Sequence, residues 1–166
     1  MTKIEPNMFD ENVFELIGSN WMLITAGTPE SYNTMTASWG GMGVLWNKNI
    51  CFCVIRPTRH TYQFMEKTDV FSLSFFEERY RQALEVCGTK SGRDIDKAAV
   101  TGLTPVAGEL AGTTHFQQAR LVIECRKIYA QDVDPKLFLD PNIDNLYPQK
   151  DYHRMYIGEI VNMLAR

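Results

Sequence analysis

The chain has 166 residues, of which 45% are hydrophobic and 22% are charged, and its formal net charge is -3. A chain of this length can bury a substantial core, and we expect residues 1–166 to form a single domain. The acidic balance argues against a nucleic-acid surface, which needs excess lysine and arginine. Apolar runs such as Ile50–Ile55 are too short to cross a bilayer, and the N-terminus lacks the apolar core of a signal peptide. The expected location is therefore cytoplasmic.

The four cysteines are Cys51, Cys53, Cys87 and Cys125. Cys51 and Cys53 alternate along an apolar strand, so both should point to the same face of a sheet. The sequence has no CxxC pair, and a metal site would need more ligands at suitable spacing. We interpret the cysteines as reduced core residues and predict no metal site.

The first third of the chain predicts one short helix and three strands. Asp10 can cap a helix that runs through Leu16. The predicted strands are Trp21–Ala26, Met35–Gly40 and Asn49–Ile55. The last is almost continuously apolar, so we expect it to be buried on both faces. Gly40–Gly43 predicts a turn, because glycine allows backbone geometry that other residues resist.

The middle of the chain predicts helices around a further strand. Thr58 can cap a helix that runs through Lys67. Val70–Phe76 alternates apolar and small polar residues, as a strand does. The next helix places Tyr80, Ala83, Leu84 and Cys87 on one face, with Gly88 as its stop, and a shorter helix has Ile95, Ala98 and Ala99 on its apolar side.

The last third predicts two long strands separated by an irregular excursion. Ala119–Gln131 and Tyr152–Leu164 are the strands, and Asp134–Gln149 lies between them; Gly102–Gly112 is mostly loop. Gly158, inside the final strand, predicts a bulge or a close approach. Six or seven strands without regular βα alternation fit a mainly β fold, a small and mostly antiparallel barrel with short peripheral helices.

Two basic clusters predict an anion site. The first follows the third strand and contains Arg56, Thr58, Arg59, His60 and Thr61. The second contains Lys90, Ser91, Gly92, Arg93 and Lys97. Arginine forks and the start of a helix both suit a phosphate group. The alternative is that these are solvated surface side chains.

Small polar residues dominate the segment Asn33–Trp39. Alternation places Thr34, Thr36 and Ser38 on one face, which would let a flat ring lie against the backbone. An edge strand with a solvated polar face fits the pattern equally well. His153 is a candidate proton donor or nicotinamide contact, although a histidine at the end of a strand more often has no catalytic role.

Five segments together resemble the flavin reductase-like family, whose members have the FMN-binding split-barrel fold. The segments are N-T-M-T-A-S-W (Asn33–Trp39), I-R-P-T-R-H-T (Ile55–Thr61), F-S-L-S-F-F (Phe71–Phe76), C-G-T-K-S-G-R-D-I-D-K (Cys87–Lys97) and H-R-M-Y-I-G-E-I (His153–Ile160). They occur in the family's order and span nearly the whole chain. The resemblance implies a homodimer that binds FMN in a groove at the subunit interface.

The resemblance also assigns site residues. The segment that begins at Asn33 would line the isoalloxazine and ribityl part through Thr36, Ala37, Ser38 and Trp39. The phosphate would be held by Arg56, Thr58, Arg59 and Thr61, with Ser91, Gly92, Arg93 and Lys97 closing the pocket. Trp39 and His153 would be the residues nearest the chemistry, on the nicotinamide side.

The implied reaction is hydride transfer from NADH or NADPH to the flavin, so the leading hypothesis is an NAD(P)H:flavin reductase. No protein acid or base is strictly required for this reaction. One alternative is a non-enzymatic FMN-binding electron carrier or redox sensor. Another is an enzyme similar to pyridoxamine phosphate oxidase, which shares the split barrel. The expected partners are small molecules and a second copy of the chain, without nucleic acid or membrane.

Overall fold

The computed structural model describes all 166 residues, which form ten strands and four α-helices. The strands are β1 (Thr2–Lys3), β2 (Met22–Thr28), β3 (Ser31–Ala37), β4 (Gly40–Leu45), β5 (Lys48–Ile55), β6 (Val70–Phe75), β7 (Pro105–Ala107), β8 (Thr114–Phe116), β9 (Leu121–Asp132) and β10 (Arg154–Ala165). The helices are α1 (Val13–Gly18), α2 (His60–Lys67), α3 (Arg81–Thr89) and α4 (Lys97–Thr101). Single 3-10 turns lie at Pro6–Met8, Glu78–Tyr80 and Pro135–Leu137, and a longer one at Pro141–Leu146. None of the helices combines the length and the apolar character needed to cross a membrane.

The main sheet is antiparallel and follows the order β3-β2-β6-β9-β10-β5-β4, with β1 added alongside β10. Its two end strands, β3 and β4, are consecutive in the chain, and only Ser38 and Trp39 separate them. Because the three steps from Ala37 to Gly40 span at most about 11 Å, the sheet must curl until its ends lie side by side. The ends are not hydrogen-bonded to each other, so the barrel is split along this seam. The predicted mostly antiparallel barrel with short helices is confirmed.

The barrel interior is filled by apolar residues from every long strand, among them Ile24, Phe71, Ile123 and Tyr156. Gly158 confirms the expected close approach, since a Cβ there would lie 2.7 Å from Cys125 Cβ and from the Phe71 ring. The register of β10 also shifts at this residue. An alanine at Gly158 would therefore overpack the core.

The predicted turn at Gly40–Gly43 is wrong. These glycines lie in β4, and the hairpin to β5 turns at Trp46 and Asn47, whose φ values are +52° and +58°. Left-handed geometry at both central residues is that of a type I′ hairpin turn, in which asparagine is favoured. The sequence pattern missed the turn because tryptophan rarely occupies such a position.

Helix ends also differ from the prediction. Asn12, and not Asp10, caps α1, since its side-chain oxygen accepts hydrogen bonds from Phe14 N (3.0 Å) and Glu15 N (3.4 Å). Arg59, and not Thr58, precedes α2. The expected burial of β5 on both faces is met only in part. Cys51, Cys53 and Ile55 are buried on one face, whereas on the other face Ile50 is buried but Phe52 and Val54 are half-buried.

Gly88 does not end a helix as predicted, because α3 continues to Thr89. Its missing side chain instead permits close packing, as a Cβ at Gly88 would lie 3.2 Å from Thr36 Cβ. The Thr36 hydroxyl donates to the carbonyl of Leu84, one turn earlier in α3, at 2.5 Å. Helix α3 is therefore seated directly on β3, which places the loop after α3 beside that strand.

Candidate functional site

A cavity of about 150 Å³ brings the two predicted basic clusters together. No hydrophobic residue lines it; the lining consists of Thr58, Arg59, His60, Thr61, Thr89, Lys90, Ser91, Gly92, Arg93 and Lys97. Four of these side chains are lysine or arginine, a fifth is His60, and none is acidic. We call this the cationic cavity. Its composition favours an anionic occupant.

Lys97 is the most deeply buried charge of the cationic cavity, with 7% of the residue exposed. Its Nζ donates to the carbonyls of Thr34 and Cys87, both at 2.7 Å, and no carboxylate pairs with it. The pKa of Lys97 is lowered to about 8, chiefly by burial and also by the nearby Arg59, against an opposing effect of Cys87. A buried ammonium group that has an unused N–H donor and no counter-ion destabilises the protein unless an anion binds beside it.

The other cations of the cavity are also without acidic partners. Arg59 donates through Nη2 to the Gly88 carbonyl at 2.7 Å, and burial lowers the pKa of its guanidinium. Arg93 donates to the Thr58 carbonyl at 3.4 Å. His60 Nδ1 is buried with no hydrogen-bond partner. Burial, followed by Arg93 and Lys97, lowers the pKa of His60 against an opposing effect of Asp94.

Backbone groups add to the same cavity. No side chain caps the start of α2, so the N–H groups of His60 and Thr61 are open, while Tyr62 N donates to the Arg59 carbonyl at 3.1 Å. The open groups carry the positive end of the helix dipole. Thr61 donates its hydroxyl to Asn33 Oδ1 at 2.9 Å. Gly92 lies against the same amide, and a Cβ there would overlap it. Asn33 therefore joins the two segments that form the cavity.

A second cavity of about 200 Å³ lies along the end of β3. Its lining mixes apolar and polar side chains: Met35, Thr36, Ala37, Ser38, Trp39, Val54, Arg56 and His153. We call it the β3 cavity. Gly88 lies between the two cavities. Its carbonyl accepts a hydrogen bond from Arg59, which lines the cationic cavity, and a Cβ at Gly88 would lie 3.2 Å from Thr36, which lines the β3 cavity. A ligand with an anionic end and a flat body matches this pair of cavities.

The structure places Arg56 in the β3 cavity and not with the other predicted phosphate contacts. Its Nη1 pairs with Asp151 Oδ1 at 2.5 Å, and its Nη2 donates to the Leu146 carbonyl at 2.9 Å. The chain turns tightly here, with Arg59 N donating to the Arg56 carbonyl at 3.0 Å. The two arginines therefore point to different sides, and the charge of Arg56 is already neutralised within the chain.

His153 lies at the edge of the β3 cavity. Its Nδ1 is 2.7 Å from the Tyr147 hydroxyl, and its ring centroid is 5.2 Å from that of Trp39. Burial, followed by Arg56, lowers the pKa of His153 to about 4, against an opposing effect of Asp151. The imidazole is therefore neutral at pH 7, which fits a hydrogen-bond donor better than a source of protons.

Tyr147 is a site residue that the sequence analysis missed. It lies in the excursion Asp134–Gln149, which was interpreted only as irregular surface chain. Its ring is buried and packs on Phe138, Tyr152 and His153. The sequence offered no clear signal, because Phe138 and Tyr147 are the only aromatic residues of this proline- and aspartate-containing segment.

A third cavity, of about 320 Å³, lies on the other side of Lys97. It is lined by Pro29, Glu30, Ser31, Tyr32, Asn33, Thr34, Gly92, Ile95, Asp96 and Lys97. The carboxylates of Glu30 and Asp96 make it less suited to an anion than the cationic cavity. An anion should therefore choose the side of Lys97 that faces Arg59.

Comparisons with known proteins identify the family and the fold. Residues 14–166 match the model of the flavin reductase like domain. No curated protein sequence matches the chain. Among solved structures, flavoredoxin of Desulfovibrio vulgaris has a TM-score of 0.70 at 20% identity, over 98% of this chain and 77% of its own.

Two further structures show the same architecture. The FMN-binding domain of a flavin reductases-like enzyme from Shewanella baltica has a TM-score of 0.70 at 16% identity, over 99% of this chain and 76% of its own. The NADH:FAD oxidoreductase of Streptomyces globisporus has a TM-score of 0.68 at 16% identity, over 89% of this chain and 75% of its own. At these identities the structures establish the fold, a flavin reductase-like split barrel.

Proposed function

Because the chain belongs to the flavin reductase-like family, we propose that it is an FMN-dependent oxidoreductase that takes electrons from NADH or NADPH, most simply an NAD(P)H:flavin reductase. The observation that carries the proposal is the cationic cavity, whose buried Lys97 has no acidic partner and which Gly88 separates from the β3 cavity. FMN has the matching shape, with a phosphate at one end and a flat ring at the other.

The residues of the cationic cavity fit a phosphate group. A phosphate there would meet the unpaired charges of Lys97, Arg59 and Arg93, together with the open N–H groups at the start of α2. Gly92 would allow the backbone to approach closely, since its missing side chain already permits contact with Asn33. The proposed phosphate contacts are Thr58, Arg59, Thr61, Ser91, Gly92, Arg93 and Lys97.

The β3 cavity fits the ring and the ribityl chain. Thr36, Ala37 and Ser38 would lie beneath the ring, and Trp39, which is 44% exposed, is free to cover it. Asn33 would lie at the junction with the phosphate. We place Arg56 at the ring end, where its pairing with Asp151 leaves it as a fixed dipole and not as a phosphate ligand.

When bound, FMN would supply the acceptor for a hydride from the nicotinamide. The chain would orient the flavin through its phosphate, exclude water from one ring face with Trp39, and present His153 at the ring edge. No side chain has to carry a proton for this chemistry. The absence of a catalytic dyad is therefore compatible with an enzyme.

We include a homodimer with the flavin near the interface in this proposal. Large apolar side chains are exposed on the excursion that carries Tyr147, including Leu137 at 69% and Leu139 at 99%, and the β4–β5 hairpin exposes Val44 at 74%. A second copy would cover such surface. Sedimentation of the purified chain tests this, and a monomer at micromolar concentration would contradict it.

A cytoplasmic location is also proposed. All four cysteines are free and buried, and a reducing compartment keeps thiols in that state. Fractionation of cells that produce the protein would show it with cytoplasmic markers.

The visible spectrum of the purified protein, followed by release of the chromophore, tests the binding of FMN. Anaerobic addition of NADH or NADPH tests the reaction, and the yellow colour should bleach with either nucleotide. If the protein holds FMN but neither nucleotide reduces it at a useful rate, the reductase proposal fails. The chain would then be better described as a flavin-binding electron carrier.

A further inference from the structure

The two ring nitrogens of His153 have different surroundings. Nδ1 is held inside the chain, 2.7 Å from the Tyr147 hydroxyl. Nε2 makes no hydrogen bond within the chain, and it is not fully buried. The His153 side chain lines the β3 cavity. One nitrogen is therefore fixed by the protein, and the other is open to whatever occupies the cavity.

The hydrogen bond to Tyr147 decides which nitrogen carries the proton. The Tyr147 hydroxyl has no other hydrogen-bond partner in the chain, and burial raises the pKa of this phenol, so it keeps its proton. A phenol is a good donor, and the unprotonated nitrogen of a neutral imidazole is a good acceptor. Donation by Tyr147 to Nδ1 leaves the imidazole proton on Nε2.

Burial, followed by the positive charge of Arg56, keeps His153 neutral. Arg56 lies over the Tyr147 ring, with its guanidinium carbon 4.8 Å from the centroid, and it disfavours a second positive charge nearby. Asp151 has the opposite effect on His153 but is itself paired with Arg56. Burial of the imidazole acts in the same direction as Arg56. At neutral pH, the His153 ring therefore carries one N–H proton, on either Nδ1 or Nε2.

Both partners are held in position. The Tyr147 ring stacks on Phe138 at 6.3 Å and lies 4.9 Å from Tyr152, between centroids. His153 is anchored through its carbonyl, which accepts from Val133 N at 2.9 Å, and its ring lies beside Trp39. The excursion that carries Tyr147 is thus attached at the edge of the β3 cavity and does not hang free in solvent.

We propose that Tyr147 is a positioning residue that fixes the tautomer of His153, so that an N–H donor at Nε2 faces the β3 cavity. This donor would select a ring that presents an acceptor atom, such as a carbonyl oxygen or an unprotonated ring nitrogen, at that edge. The role in a reaction rests on the proposed function. The tautomer itself is a property of the chain without any ligand.

The tautomer can be measured directly by nitrogen-15 NMR on apo-protein labelled at histidine. The three histidines are assigned by comparison with His153→Gln. The proposal predicts that His153 at pH 7 carries its proton on Nε2, and that Tyr147→Phe gives a mixture of tautomers. The His153 titration midpoint should also rise by about one pH unit in Tyr147→Phe, the equivalent of one lost hydrogen bond.

Tyr152→Phe is the matched control, because Tyr152 packs in the same aromatic cluster but donates its hydroxyl to Asp144. It should leave the tautomer and the midpoint of His153 unchanged. A wild-type His153 protonated on Nδ1 would overturn the proposal, and this outcome needs no variant to fold. An unchanged tautomer and midpoint in Tyr147→Phe would overturn it as well.

The pH dependence of flavin reduction provides the functional readout. The wild-type rate should be flat between about pH 5.5 and 7.5, because His153 stays neutral there. Tyr147→Phe should lose rate toward the acid end, and Tyr152→Phe should not. If FMN does not bind at all, the proposed function fails while the NMR result stands. If FMN is reduced but Tyr147→Phe behaves as wild type in both measurements, only the role of Tyr147 fails.

Discussion

The two neighbouring cavities differ in whether their positive charges have an acidic partner. In the cationic cavity, Arg59, Arg93 and Lys97 bond only to backbone carbonyls, so their positive charges remain uncompensated. In the β3 cavity, Arg56 is paired with Asp151 and lies over Tyr147. Arginines three positions apart thus have different roles, one available to a ligand and one built into the fold. We therefore propose that unsatisfied charge, and not the presence of arginine, marks the end of the site that binds the phosphate.

The largest effect on ligand binding is expected from Lys97→Met. Removing the buried ammonium should weaken FMN binding by about 3 kcal/mol, or roughly 150-fold, the upper range for a charged hydrogen bond. The stability of the free protein should change little, because removal of a buried charge without a counter-ion offsets the loss of its hydrogen bonds to the carbonyls of Thr34 and Cys87. Flavin fluorescence titration and thermal unfolding measure the two quantities.

Lys90→Met is the control for Lys97→Met, since Lys90 lines the same cavity but is exposed. It should weaken FMN binding by much less. Equal losses in the two variants would mean that only the general positive field matters, and the particular position of Lys97 would lose its importance.

Arg59→Ala should have the second largest effect. Arg59 already donates to the Gly88 carbonyl, so only part of its fork is free for a phosphate, and we expect a loss of about 1.5–3 kcal/mol in FMN affinity. Arg79→Ala is a suitable control because Arg79 is an exposed arginine outside both cavities. Unchanged affinity in Arg59→Ala would remove this residue from the site.

Arg56→Ala should show the opposite pattern, a loss of stability with little change in phosphate recognition. The Asp151 side chain is only 14% exposed, and it would be left without its partner. We expect the free energy of unfolding to fall by about 1–2 kcal/mol, which thermal or urea unfolding can detect. A preferential loss of FMN over riboflavin would show instead that Arg56 contacts the phosphate.

The smallest effect is the uptake of a fraction of a proton when FMN binds near pH 8. The pKa of Lys97 is about 8 in the free chain, so this amine is only partly protonated at that pH. A phosphate beside it favours the charged form and raises the pKa, so binding must take up protons. Calorimetric titration in buffers of different ionisation enthalpy measures this uptake. It should vanish in Lys97→Met.

Much of the fold could be predicted from local pattern. The alternation of apolar and polar residues located most of the long strands. Gly158 indicated the close approach inside the barrel, because a glycine within a strand points to crowding or a bulge at that position. Gly88 and Gly40–Gly43 were misjudged because glycine also serves packing between distant elements. The contact of Gly88 with Thr36 depends on how α3 sits on β3, which sequence spacing does not encode.

The residue types of the candidate site could be predicted from the sequence, but the ion pairs and hydrogen bonds between them could not. Both basic clusters were visible in the sequence, and the fold brings them to one cavity. Whether an arginine is free depends on which acidic group lies nearby in space, and Asp151 is far from Arg56 along the chain. The same limit concealed Tyr147, whose importance comes from a single contact with His153.

The most direct test of the account compares the affinities of the apo-protein for FMN and for riboflavin, which differ only in the phosphate. If the cationic cavity holds that phosphate through two or more charged contacts, FMN should bind at least about 100-fold more tightly. The preference should shrink in Lys97→Met and Arg59→Ala and persist in Arg56→Ala. Equal affinities of the wild-type protein for the two flavins would contradict the assignment of this cavity.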